Sequence, residues 1–126
     1  MMRILLATGG GFLVWFVTVF LLNLVLRAAL PGYVEAEPQF TFTLGMQAAR
    51  LIIAAIASLT VGAVVTRVAQ GDLRASRATA SLLILLFLPV HYGLWDKFPF
   101  WYHLIFLGSL YPLIVTGARF VSLRLQ

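Results

Sequence analysis

Charge is so sparse along this chain that four long runs carry none: residues 4–26, 51–66, 78–95 and 98–118 contain no Asp, Glu, Lys or Arg. A helix needs about 20 apolar residues to cross about 30 Å of hydrocarbon. Where water is absent, only a helix or a closed barrel satisfies its own backbone. Three of the runs reach that length or approach it, and the second reaches it by extending back through Arg50 to Phe42. Charged residues make up 10% of the chain, against about a quarter in a soluble domain, so polar surface cannot cover a globule. The reading is an all-α, polytopic membrane protein: one domain over 1–126 with helices near 4–27, 42–67, 76–95 and 99–120. The first apolar run is longer than the 7–15 residues or so of a signal peptide, so it is expected to be a retained anchor.

Lysines and arginines set the expected orientation. If the four helices alternate in direction, Arg3, Arg67, Arg74, Arg77, Arg119 and Arg124 fall on one side, and only Arg27 and Lys97 on the other. The rich side is cytoplasmic by the positive-inside rule. The expectation is an antiparallel bundle with both termini in the cytoplasm, in contact with the lipid bilayer and not with nucleic acid. Pro31-Gly32 and Pro38 punctuate the first outer loop, with a short interfacial stretch around Tyr33. Gly71 suits the end of the second helix, and Asp72 the cap of the third. The turn around Asp96-Lys97 is tight and crowded with aromatic residues, as at a membrane interface.

Small residues recur every four positions in the second helix, at Ala54, Ser58 and Gly62, in line with Arg50. Gly108, Pro112 and Thr116 repeat that spacing in the fourth. Lipid provides no hydrophobic drive for helices to associate, so such residues are expected to mark close packing. Pro89 and Pro112 are expected to kink their helices. Gly9-Gly10-Gly11 follows no strand and precedes no Gly-Lys-Ser/Thr, so it is read as packing or flexibility and not as a phosphate loop.

Polar groups inside a span are costly and call for partners. Asn23, Gln47, Arg50, His91, Tyr92 and His103 all fall in the expected outer half, and the inner half is nearly all aliphatic. Arg50 is about two turns inside the second helix and shares its stripe with the small residues, so it is expected to face the bundle. Glu35, Glu37, Asp96 or Asn23 are its candidate partners. His91 and His103 lie six residues either side of Lys97, hence at similar depth across a hairpin. If they face each other, they offer ligands to haem iron or a metal, or hydrogen bonds to a quinone. The structural alternative is a pair of ordinary interfacial side chains.

No nucleophile–base–orienter set can be picked out among so few polar residues, so an enzyme is not expected. With no cysteine, thiolate chemistry is excluded, and no resident cofactor is assigned. Small multidrug transporters share this length and helix count, but their carboxylate inside helix one has no counterpart between residues 4 and 26. Fluoride channels need a glycine- and threonine-rich break that residues 79–95 lack.

From Leu59 to Phe120, a small-residue helix ending at Arg67, an arginine-bearing loop and the stretch HYGLWDKFPFWYHLIFLGSLYPLIVTGARF come in succession. This half of the chain resembles small, uncharacterised four-helix membrane proteins of bacteria, on Pro99, Trp101, His103, Pro112, Gly117 and Arg119. The resemblance implies a bacterial inner membrane. The functional expectation is a non-enzymatic accessory or assembly subunit that packs on itself, as a homo-oligomer, or on a larger membrane complex. The alternative is a small ligand (haem, quinone or anion) held in the outer polar cluster.

Overall fold

The computed structural model describes residues 1–125, and they contain helices and no strand. Four helices are long and apolar enough to cross a membrane: α1 (Met2–Ala29), α3 (Leu44–Val68), α4 (Leu73–Gly93) and α5 (Phe100–Arg124). A single turn, α2 (Tyr33–Ala36), followed by a 3-10 turn over Glu37–Gln39, joins α1 to α3. At most 39% of any span's apolar window is buried within the chain. Leu13, Phe20, Ile52, Leu85 and Leu104 are among many large apolar side chains left outside. That outward apolar surface suits lipid.

Local chemistry sets each boundary. Leu30 precedes Pro31 and is extended, at φ −99° and ψ 115°, because a proline ring crowds the helical conformation of the residue before it. Gly32 then turns the chain with φ +82°, the left-handed region that costs glycine nothing. Thr43 caps α3, its Oγ1 accepting from the Met46 N–H at 3.3 Å. Asp72 caps α4, Oδ1 accepting from the Arg74 N–H at 2.9 Å, so α4 starts at Leu73 and not near 76 as the sequence suggests. The α3 terminus is a Schellman motif, with Gly71 N–H bonded to Thr66 O and Gln70 N–H to Arg67 O. Gln70 takes the left-handed position there, with φ +55°, and Gly71 follows at φ +90°.

Around the bundle, α1 packs on α3 and α4, and α5 packs on the same two helices from the other side. The α3–α5 contact is the most extensive, since two glycines oppose backbone. A Cβ at Gly62 would overlap the Ile114 carbonyl oxygen, and one at Gly117 the Leu59 carbonyl oxygen. Ala54 and Ser58 are buried on the same helix. Ser58 Oγ donates back to Ala54 O at 2.7 Å and accepts from Trp15 Nε1 at 3.3 Å, which ties α3 to α1. Gly11 sits against Val65 and Thr79, whereas Gly9 and Gly10 face open space. The expected packing role of Gly108 is not met within the chain. It is exposed, and a Cβ added there would have nothing within 4 Å; the glycine α5 uses for close approach lies nine residues on, at Gly117. Pro89 and Pro112 both sit inside continuous helices, on exposed positions.

Candidate functional site

At the end of the bundle that carries the 30–43 and 94–99 loops, polar side chains from α1, the 30–43 loop, α3 and α5 join in one hydrogen-bonded series. Arg27 Nε donates to Glu37 Oε1 at 2.7 Å, and Asn23 Nδ2 donates to Glu37 Oε2 at 3.2 Å. Asn23 Oδ1 accepts from the Tyr33 hydroxyl at 2.6 Å. That hydroxyl accepts in turn from Arg50 NH1 at 2.8 Å, and Arg50 Nε donates to the Tyr102 hydroxyl at 3.3 Å. Asn23 and Arg27 lie four apart on α1, so both reach the same loop. Arg50 is carried by α3, and Tyr102 lies in the first turn of α5.

Tyr33 is the hinge of this series and is wholly buried, at 0% exposure. The turn at Pro31-Gly32 swings it under α1, where Tyr33, Ala36 and Met46 form a small apolar cluster with Leu26, Leu30 and Phe42 around it. A buried phenol needs a partner for its hydroxyl, and Asn23 and Arg50 supply two. The Arg50 guanidinium also lies 4.7 Å from the Phe42 ring centroid and 5.9 Å from that of Phe98, a cation–π arrangement that shields the charge from lipid.

Arg50 thus faces the bundle as expected, but through two phenols and not through an acid. Glu37 is occupied by Arg27 and Asn23. Arg27–Glu37 and Arg74–Asp72 are the ion pairs among the described residues, so no carboxylate balances Arg50. The NH2 nitrogen of Arg50 makes no hydrogen bond among the described residues.

A cavity of about 560 Å³ opens beneath this charge. Its polar wall is Asn23, Glu37, Arg50 and Tyr102; its apolar wall is built mainly from Trp15, Phe16, Phe20, Ile53, Phe87 and Phe106. Trp15 closes the deep end, 5.0 Å from Phe87 and 6.2 Å from Phe106 between ring centroids. Volume and lining fall within the range of small-ligand sites, which are mostly apolar with a few converging polar groups.

The histidines form a second, adjoining feature. His91 and His103 are both buried and face each other across the α4–α5 hairpin, Nδ1 to Nδ1 at 2.7 Å. His103 Nε2 points at the Trp95 carbonyl oxygen at 3.4 Å. A carbonyl only accepts, so this contact puts the His103 proton on Nε2, and His91 Nδ1–H then donates to His103 Nδ1. No group of three His, Cys, Asp or Glu side chains poised for a metal occurs among the described residues. In this arrangement the two Nδ1 atoms hydrogen-bond to each other, and His91 Nε2 keeps a free lone pair. The pair meets the polar series only through Tyr102, whose ring stacks against His91 at 6.3 Å.

Two residues expected in the cluster stand apart from it. Tyr92 is 84% exposed and points away from the bundle, since one residue along a helix turns the side chain by about 100° from its buried neighbour His91. Gln47 makes no side-chain hydrogen bond among the described residues and does not line the cavity. In the sequence, Tyr33 belongs to an interfacial stretch and Tyr102 is one of the aromatic residues crowding the turn at Asp96-Lys97, and neither position discloses a part in holding Arg50. The signal available is a buried arginine with no acid in its own helix, which must borrow acceptors from elsewhere. The chain matches no family model, no curated protein and no solved structure.

Proposed function

We propose that this chain is a non-enzymatic, four-pass protein of a bacterial inner membrane, with antiparallel helices and both termini cytoplasmic, and that it binds a small ligand in the cavity beneath Arg50. The alternation of helices is supported by three contacts. Arg3 at the start of α1 donates to Gln70 just past α3 at 2.7 Å. Arg50 early in α3 meets Tyr102 early in α5, and His91 late in α4 meets His103. Six of the cations then collect at the end opposite the cavity, and by the positive-inside rule the cavity belongs to the outer half. Since the chain has no cysteine, single-cysteine variants have no background. Lys97→Cys should react with an impermeant maleimide on intact cells, and Gln70→Cys only after permeabilisation. The opposite pattern would invert the orientation.

The observation that carries the ligand reading is an arginine without an acidic partner lining a largely apolar cavity. An arginine at the centre of a span costs about 2.5–3.5 kcal/mol or more unless relieved, and less towards its end; Arg50, in the second turn of α3, is turned into the bundle and held there by Tyr33 and Tyr102. Two neutral phenols relieve the hydrogen bonding of two of its nitrogens but not its charge. The test is gentle-detergent purification followed by mass spectrometry of extracted small molecules, wild type against Arg50→Gln. A species retained by wild type and lost from the variant is the expected result. Equal retention, or none, would remove the reading.

A second reading, an accessory or assembly subunit, is favoured by Gly108. It forms a notch in an exposed face of α5 between Leu104, Ile105 and Tyr111, and a helix of a second chain can approach closely at such a residue. A stoichiometric partner co-eluting with wild type and displaced by Gly108→Leu is the outcome this reading requires.

A further inference from the structure

We propose that the ligand is a long-chain carboxylate taken from the bilayer, its head on Arg50 and its chain running along the aromatic wall to Trp15. This inference rests on the ligand reading above and narrows it to one chemical class.

The head follows from charge. Arg27 and Glu37 neutralise each other at 2.7 Å, which leaves a single positive charge, on Arg50, facing the cavity. One monoanion balances it, whereas a phosphate dianion would overshoot and a quinone carbonyl would leave it uncompensated; of the bilayer's monoanions, a cavity of about 560 Å³ suits a single-chain carboxylate better than a two-chain phosphodiester lipid. Arg50 also keeps NH2 free among the described residues, with Nε and NH1 engaged by Tyr102 and Tyr33. The two phenols and Phe42 hold the guanidinium in place, so a carboxylate meets an NH2 group already fixed in position and loses little freedom in binding it.

The tail follows from shape. Every polar lining group belongs to the Arg50 end, and beyond it the walls are apolar. On α1 the lining runs from Asn23 down to Trp15. Eight residues of helix amount to about 12 Å, most of the roughly 15 Å of hydrocarbon in one leaflet. A ligand with two polar ends is therefore disfavoured, and one with a charged head and an apolar chain is accommodated. Access is lateral. Phe20 is 63% exposed on the outward side of α1, and Phe16 meets Phe87 of α4 at 6.0 Å. These rings are the wall between cavity and lipid, so a molecule already dissolved in the bilayer enters by displacing them, without crossing water.

The experiment is saturable binding of tritiated palmitate to the full-length chain in mild detergent, at mildly alkaline pH so that the fatty acid is ionised. Unlabelled palmitate and 1-hexadecanol are the competitors. Palmitate should compete at least tenfold better than the alcohol. Arg50→Gln should erase that preference, Arg50→Lys should keep part of it, and Ala54→Phe, which fills the cavity, should abolish saturable binding. Equal competition by the alcohol in wild type, or an undiminished preference in Arg50→Gln, overturns the carboxylate assignment and leaves a cavity that binds apolar chains. Absence of saturable binding in wild type overturns the carboxylate assignment alone, and the ligand reading then stands or falls with the species extracted from wild type and from Arg50→Gln. Binding of palmitate that Ala54→Phe does not affect places it on the outer lipid-facing surface and refutes the site.

Discussion

Replacing Gly62 by alanine adds one methyl group at the tightest helix crossing. The new Cβ would overlap the Ile114 carbonyl oxygen and lie 2.8 Å from its carbon and 2.9 Å from the Ala118 nitrogen. All three are backbone atoms, so no rotamer change relieves the clash and α3 must move away from α5. The reciprocal contact, Gly117 against the Leu59 backbone, lies one turn along the same seam and is lost in the same movement. Overpacking costs about 1–3 kcal/mol in well-packed interiors, and two coupled backbone contacts put this site near the upper end. Alanine's better helix propensity returns up to about 1 kcal/mol. The net expectation is a loss of about 2 kcal/mol. Gly9→Ala, Gly10→Ala and Gly108→Ala have nothing within 4 Å of the added atom, so they should be neutral or slightly stabilising. Reversible unfolding in mixed micelles, titrated with sodium dodecyl sulfate, measures all four against wild type. If Gly62→Ala unfolds at the same midpoint as Gly108→Ala, the two helices do not meet at Gly62 and the packing argument fails.

Three further outcomes are expected. Trp15→Phe removes the donor to Ser58 Oγ, while Ser58 keeps its bond to Ala54 O. The same titration should show a loss of about 0.5–1.5 kcal/mol, and Trp15→Phe combined with Ser58→Ala should cost less than the two single changes added together. Tyr33→Phe should destabilise more than Tyr102→Phe, because the Tyr33 hydroxyl serves both Asn23 and Arg50 at 2.6 and 2.8 Å, whereas Tyr102 makes one bond at 3.3 Å; the reverse order would misplace the hinge of the series. Hydrogen bonds from the Arg74 side chain, and then from its backbone N–H, hold the Asp72 carboxyl down to about 2. A carboxyl depressed on folding contributes fully above its unfolded value of about 4 and loses that contribution as the pH falls through about 2. The stability difference between wild type and Asp72→Ala should therefore be constant from pH 5 to 8 and shrink between about 4 and 2; a drift in the neutral range would refute the assignment.

What the sequence disclosed and what it hid divide along a physical line. Uncharged runs, caps and breakers act along the chain, so the four spans, the Asp72 cap and the Pro31-Gly32 turn are legible in neighbouring residues. Arg50 stands out for the same reason, as a charge within an apolar stretch. Its partners do not, because Tyr33 reaches it through a loop that folds back and Tyr102 lies 52 residues away. Which residues meet depends on the rotation of each helix about its axis, and here that rotation leaves little trace. In a soluble bundle the polar face of each helix marks the solvent side. In a membrane, the core and the lipid both select apolar side chains, so Tyr92 and His91 look equally eligible for the interior, as do Gln47 and Arg50. Glycine is the sharpest case. Gly62 and Gly108 both sit in stripes of small residues at four-residue spacing, yet only Gly62 has backbone against it within the chain. A missing side chain records that something can come close, not what does. If the unused notch at Gly108 serves a purpose, the missing surface belongs to another molecule, which is why Gly108→Leu should leave the monomer's unfolding unchanged while dispersing any assembly it joins.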